Sequence, residues 1–406
     1  MPNHFDLIIV GGGMVGASLA VALADCDCRI AIIEAIPDEK RLRVERDARS
    51  IVLSFGSSRI FSSLGLWQQL KSDAVAVNKI HVSDRGRFGV TRFNASDVNR
   101  SALGYVVPAH SINRCLHAAL QHQANVTWFC PVALQNLQRH DHQYQVILAD
   151  GQQLITDCVV AADGAESKAR ELLQIETQIL DYHQVAIVAN VTLGRSHENT
   201  AYERFTPNGP IAFLPLAQQQ AALVYTAPND QREMLLELSD QEFLQRLQMD
   251  FGYRLGRFQA ISRRFAFPLQ LTTAKTQVKP GAVLLGNAAH SLHPIAAQGF
   301  NLSLRDAVSL AQSFAVAIRD KISLGDEQLL RNYYHSRQHD QQRMLALTDG
   351  IHKIFHFNLL PWSWLRDMGL VLLEHSPLLK SQFAKHSMGL AGKLPNLSCD
   401  IPLLEV

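Results

Sequence analysis

The chain has 406 residues, of which 47% are hydrophobic and 18% charged, and its formal net charge is +1. That length suits more than one sizeable core, and that balance excludes a disordered chain and gives no electrostatic case for binding nucleic acid. Cys26, Cys28, Cys115, Cys130, Cys158 and Cys399 form no C-x-x-C pair or zinc-like spacing, so reduced thiols and a cytoplasmic location are expected.

In chain order, the first predicted element is a strand at 6–10, followed by Gly11-Gly12-Gly13-Met14-Val15-Gly16 and a helical run at 17–24. Gly11, Gly13 and Gly16 fit the G-x-G-x-x-G spacing. The first allows a tight turn, the second lets a pyrophosphate approach the backbone, and the third lets helix and strand pack closely. A second strand at 29–33 ends in Glu34, where a carboxylate can accept from a ribose hydroxyl. Together these predict adenine-dinucleotide binding. Asp6 and the lack of a basic start argue against a signal peptide. Arg49 follows a run of charges but leads directly into an apolar stretch, which sets it apart from one more surface charge.

A helix is predicted at 111–123 from the spacing of Ile112, Leu116, Ala119 and Leu120. At 158–167 an apolar strand runs into Asp163-Gly164 and a polar helix start, which alone is an ordinary strand exit. Strands at 184–192, 211–216 and 221–226 predict a largely antiparallel sheet with a helix near 240–250. The stretch 284–307 ends an apolar run at Gly286-Asn287, turns through His293-Pro294, passes Gln298-Gly299 and opens a helix near Asn301. The free backbone N–H groups of Gly299, Phe300 and Asn301 would form a site for an anionic or electron-rich ring.

A helix at 326–354 and an apolar helical tail after Pro361 complete the chain. No apolar run reaches the ~18 residues needed to span a bilayer. The best candidate, 355–373, is broken by Pro361, Arg366 and Asp367, although its aromatic residues suit interfacial contact. There is no G-x-S-x-G elbow. His352 and His356 have an i, i+4 spacing but lack the Glu of a metalloprotease, so no metal site is expected.

The strings GGGMVG at 11–16, VVAADGAES at 159–167 and GNAAHSLHPIAAQGFN at 286–301 resemble the FAD-dependent aromatic hydroxylases, the single-component flavoprotein monooxygenases. HVSDRGRFG at 81–89, YERFTPNGPIAFLPL at 202–216 and the GNAAH form resemble the ubiquinone-biosynthesis hydroxylases among them, most of all the 2-polyprenyl-6-methoxyphenol branch. The resemblance covers nearly the whole chain and is weakest after about residue 370.

It implies an α/β fold with a discontinuous Rossmann-like FAD-binding domain (1–80, 105–178 and 270–320), a β-sheet substrate domain (81–104 and 179–269) and a helical C-terminal region (321–406). It implies bound FAD, NADH or NADPH as a transient electron donor, and ring hydroxylation of a polyprenylated phenol by molecular oxygen through a flavin C4a-hydroperoxide. The cofactor residues it implies are Gly11, Gly13, Gly16, Glu34, Arg49, Asp163, Gly286, Asn287, Gln298, Gly299, Phe300 and Asn301. His293 and Pro294 would flank the reacting face as catalytic residues. Tyr202, Arg204 and Tyr225 are further candidates for contact with the phenol, with Ile211, Phe213, Leu214 and Pro215 as an apolar roof. Arg114 or His110 would approach the cofactor.

Two positions depart from the family pattern: Asn287 replaces an Asp, keeping an acceptor but losing the charge, and Ala297 replaces a Gly. Peripheral contact with the inner membrane and association with other ubiquinone-biosynthesis proteins are further expectations. A sister hydroxylase acting at another ring carbon, a flavin dehydrogenase that never activates oxygen, and a flavin-bearing assembly subunit stay open as alternatives.

Overall fold

The computed structural model describes residues 3–37, 39, 49–292, 297–356, 360–390 and 394–403. The predicted catalytic residues His293 and Pro294 lie outside these described residues.

Strand His4–Val10 is a nearly unbroken apolar run because both of its faces are covered: Leu7, Ile8 and Ile9 have no exposed surface. It pairs in parallel with Ile30–Ile33 on one side and Gln153–Ala161 on the other. Val126–Phe129 and Ala282–Leu284 extend the parallel run outward, and the hairpin of Leu134–His140 and Gln143–Leu148 branches from it in an eight-stranded sheet. Parallel neighbours require crossovers, and the helices Met14–Ala22, Ala109–Leu120 and Gly299–Arg319 pack one face of the sheet in a single core.

A nine-stranded, mostly antiparallel sheet forms the second layer. Its centre is Thr177–Thr192, Gln220–Pro228, Gly209–Pro215 and Thr200–Thr206. The strand Lys79–Asp84, distant in sequence, joins its edge in parallel with Thr200–Thr206. The helix Asp240–Phe251 covers the outer face of this sheet. A small sheet, Ser50–Ser54 with Gly104–Pro108 and Val75–Val77, lies between the two layers in sequence and closes the floor of the central cavities.

The helices Gly299–Arg319 and Glu327–His356 are joined by a buried charge network. Asp306 accepts from Arg337 Nε at 2.6 Å and from Gln341 Nε2 at 3.0 Å, and it pairs with His290 Nε2 at 2.9 Å. Burial pushes the Asp306 carboxyl up, but Arg337 and His290 outweigh it and hold it down at about 2. Its stabilisation is therefore present above the ordinary carboxylate value near ~4 and is lost as pH falls towards the folded value. Asp306→Ala would leave the Arg337 guanidinium buried without its main partner, at a cost of about 3–5 kcal/mol. The expected readout is a lower denaturant midpoint at pH 7, with the deficit relative to wild type shrinking as pH drops below 3.

Candidate active site

The glycine loop is built by exclusion. Gly11 leaves the first strand at φ +104°, and a Cβ there would stand 2.5 Å from the Ala162 carbonyl oxygen. At Gly16 a Cβ would meet the Gly11 carbonyl oxygen at 2.1 Å. Gly13 differs: a Cβ there would meet nothing within 4 Å, and the residue lines a cavity of about 440 Å³. Met14 and Val15 line the same cavity, so the amide end of the first helix and its positive dipole border the open space. Glu34, the expected ribose acceptor, shapes the loop itself. Its carboxylate accepts from the N–H of Gly12 at 2.9 Å and of Ile36 at 2.7 Å.

Arg49, Asn287, Gly299 and Phe300 line this cavity too. Gly286, at φ +63°, sits where a Cβ would lie 3.2 Å from Val15, so the turn abuts the first helix. Asp163 works as a cap: one oxygen accepts from Ser167 Oγ and the other from the Ala169 N–H at 3.0 Å, while Gly164 beside it lines the cavity. Gln298 precedes the helix Gly299–Arg319 and donates to the Ser387 carbonyl at 3.1 Å. Ala297 has φ +50°, a left-handed conformation that costs a non-glycine residue about 1 kcal/mol.

Asn301 is 1% exposed, and its amide is fully engaged. Its Oδ1 accepts from Ser54 N–H at 2.8 Å and Ser57 Oγ at 2.7 Å, and its Nδ2 donates to the carbonyls of Val52 at 2.8 Å and Ala297 at 2.9 Å. Its side chain is a staple with no hydrogen-bonding group left over for a ligand. Arg114 pairs with Asp73 at 3.2 Å, and neither it nor His110 lines the cavity. Among the described residues no cluster of three or more His, Cys, Asp or Glu could hold a metal ion.

The roof corrects several expectations. Side chains alternate along strands, so Ala212, Leu214, Val224 and Thr226 face the cavity. Ile211 and Phe213 point away and are buried against the helix Asp240–Phe251. Tyr225 lies on that outer face, where its hydroxyl donates to Asp250 at 2.7 Å. The Tyr202 ring packs on His81 and Phe251, and Arg204 stands among the like charges of Arg254 and Arg85.

The residue between Tyr202 and Arg204, missed in the sequence, faces inward. Glu203 lines both the large cavity and a second one of about 280 Å³, and Val52, Val77 and Ile80 are shared with it. The second cavity is walled by apolar side chains of the sheet and of the C-terminal helices, among them Phe93, Phe205, Leu370, Leu373 and Phe383.

These residues fit an FAD. The two closed glycines shape the loop, the open one leaves room for a pyrophosphate, and helix amides border the cavity. Gly13 has φ −71° and ψ −177°, which alanine adopts freely. Gly13→Ala is therefore expected to keep the thermal stability of the FAD-free protein within about 0.5 kcal/mol of wild type. It should nonetheless weaken FAD binding more than tenfold, as read by fluorescence titration.

Comparison with known proteins agrees with this geometry. The family profile described as "FAD binding domain" matches residues 4–348. The ubiquinone hydroxylase UbiL of Rhodospirillum rubrum is 33% identical, over 98% of this chain and 93% of its own. The 3-demethoxyubiquinol 3-hydroxylase of Escherichia coli is 31% identical, over 95% of this chain and 98% of its own. The crystal structure of pqsL, a probable FAD-dependent monooxygenase from Pseudomonas aeruginosa, shares the fold with a TM-score of 0.77 at 24% identity, covering 91% of this chain and 100% of that one. A glycine cleft built for a dinucleotide, a sheet roofing it, and kinship over nearly the full length lead to one conclusion: the chain belongs to the FAD-binding family of flavoprotein monooxygenases.

Proposed function

We propose that this monooxygenase hydroxylates the aromatic ring of a polyprenylated phenol in ubiquinone formation, with 2-polyprenyl-6-methoxyphenol as its substrate. The observation that carries the reading is the apolar cavity sharing a wall with the cofactor cleft. A phenol head would sit at the junction, and a prenyl tail would run between the sheet and the C-terminal helices, out of water. The names of the relatives, ubiquinone hydroxylase and ubiquinone biosynthesis monooxygenase, support the same substrate class.

When bound, FAD supplies the oxygen-activating redox chemistry, with NADH or NADPH as electron donor. The chain's own residues do the rest. Gly11, Gly13 and Gly16 shape the pyrophosphate loop, with Glu34 holding it. Arg49 and Asn287 stand at the cavity wall to receive phosphate and ribityl oxygens. The first-turn N–H groups of the helix Gly299–Arg319 would stabilise negative charge on a reduced ring. Leu214 and Val224 keep water from the reacting face, and His293 and Pro294 are proposed to flank it.

A second reading, hydroxylation at another carbon of the same ring series, rests on the 3-demethoxyubiquinol 3-hydroxylase relative. No helix among the described residues is long and apolar enough to cross a membrane. Leu372 and Leu378 are nevertheless 63% and 80% exposed on the helices Leu360–His375 and Pro377–Ser387, which also wall the tail cavity. An apolar surface there suits peripheral docking on the bilayer that holds the substrate.

The test is a mass profile of quinone intermediates in an aerated strain lacking the gene. Build-up of a prenylated methoxyphenol one oxygen short of the quinol is expected. A different prenylated intermediate would move the reaction to the sister ring position. Normal ubiquinone in a strain with no second hydroxylase would overturn the pathway assignment.

A further inference from the structure

We infer that Glu203 is the proton acceptor for the substrate's phenol hydroxyl, and thereby the residue that orients the ring at the junction of the two cavities. The inference rests on the phenol reading above. Among the described residues lining the apolar cavity, Glu203 is the one ionisable side chain, and it also lines the cofactor cleft. Four other polar side chains on the cavity wall already make hydrogen bonds. Thr91 donates to the Leu370 carbonyl, Ser54 to Ser57, and Gln298 to the Ser387 carbonyl, while Asn301 is saturated. No hydrogen-bond donor reaches the Glu203 carboxylate from any described residue. An unpaired carboxylate in an apolar wall is costly for the fold, so its partner is to be sought in the ligand.

The surroundings make this carboxyl a base rather than a spectator. The neighbouring strands set Val82 and Ala212 directly beside Glu203. The small sheet offers Val52 and Val77, and the C-terminal helices offer Leu370, Phe383 and Ala384. Tyr202 and Arg49 are the other titratable residues among those lining the cofactor cleft. The Tyr202 ring packs with His81 and Phe251, and the neighbouring basic side chains of Arg204 and Arg254 lie in that same cluster with His81. Burial pushes the Glu203 carboxyl up to about 7.

A base poised near neutrality suits the step required. The phenol O–H bond breaks and its proton bonds to a Glu203 oxygen. The freed electron pair conjugates into the ring, raising electron density at the ortho and para carbons, which is the activation a ring carbon needs to take up an oxygen atom that FAD, when bound, would supply from O2 with NADH or NADPH as reductant. The proton held by Glu203 returns to the phenolate oxygen of the product or passes to solvent, which restores the base.

The test compares wild type with Glu203→Gln and Glu203→Asp, each loaded with FAD to full occupancy, using a short-chain 2-prenyl-6-methoxyphenol. Wild-type kcat/KM should fall as pH drops below 7, because the protonated carboxyl cannot accept. Glu203→Gln should lose that limb and about 100-fold or more of the rate, in line with general-base catalysis. Glu203→Asp should keep the limb with part of the rate. Binding gives a second readout: wild type should prefer the phenol over its O-methyl ether by about tenfold, the value of one hydrogen bond to a charged group, and Glu203→Gln should not. Hydroxylation by wild type with an unaltered pH limb and preference in Glu203→Gln would overturn this inference alone. Failure of wild type to bind or hydroxylate the phenol would overturn it together with the substrate reading.

Discussion

The site depends first on Asn301. One buried amide ties the strand Ser50–Ser54, the start of the helix Phe55–Ser63 and the turn at Ala297 to the head of the helix Gly299–Arg319. Each partner is a backbone or hydroxyl group that would otherwise be buried without a match, so the arrangement has little freedom to shift. Ser54 and Val52 line the apolar cavity, and Val52 and Phe300 line the cofactor cleft. Asn301 therefore fixes the distance between the place where a cofactor ring would lie and the place where a substrate would enter.

The roof obeys a different constraint, the two-residue period of a strand. Along Thr200–Thr206, Ala201, Glu203 and Phe205 line the cavities, while the Tyr202 ring packs on His81 and Phe251 and Arg204 stands among Arg254 and Arg85. Antiparallel register then sets Glu203 opposite Ala212, and the small partner keeps the space around the carboxyl open. The outer face is a conventional core, in which Phe213 meets Phe251 at 4.6 Å between ring centroids and Tyr225 is tethered to Asp250. One face of the same strands is filled and the other is left open for ligands.

This split explains what the sequence could and could not disclose. The glycine loop was legible because its causes are local: an apolar strand covered on both faces, a turn at positive φ, and a helix whose third glycine touches the strand. Helix ends were legible to within a few residues; the run read at 111–123 is Ala109–Leu120, and 326–354 is Glu327–His356. The facing of the roof was not. Both faces of strands such as Gly209–Pro215 are apolar, one against a helix and one against a cavity, so no alternation marks the inner side. Tyr202 and Arg204 drew notice as conspicuous polar residues, while Glu203 becomes visible only once register with Lys79–Asp84 is known. The staple at Asn301 is hidden for the same reason, its partners lying up to 249 residues away. Asp163 and Glu34 stand where the motif puts them, yet their carboxylates are engaged by their own loops, a use that spacing alone does not reveal.

The buried charges complete the picture. From Asn301 a chain of contacts runs through Arg305, which donates to the Asn301 carbonyl at 3.3 Å and to Asp340 at 3.0 Å. Asp340 also accepts from Arg337, Arg337 pairs with Asp306, and Asp306 with His290 in the short strand His290–Ser291. Such pairs add little net stability over an apolar packing of equal volume, because desolvation offsets most of their attraction. What they impose is position. Each guanidinium must meet its carboxylate, so the helix Glu327–His356 cannot slide by one turn, about 5.4 Å, without leaving charges stranded. That helix brings Ile351 to the apolar cavity. A slip would move Ile351 off the cavity wall and shift the strand that leads through His290 towards the cofactor cleft. The network thus fixes the register of that helix, and with it the part of the apolar cavity wall that Ile351 supplies.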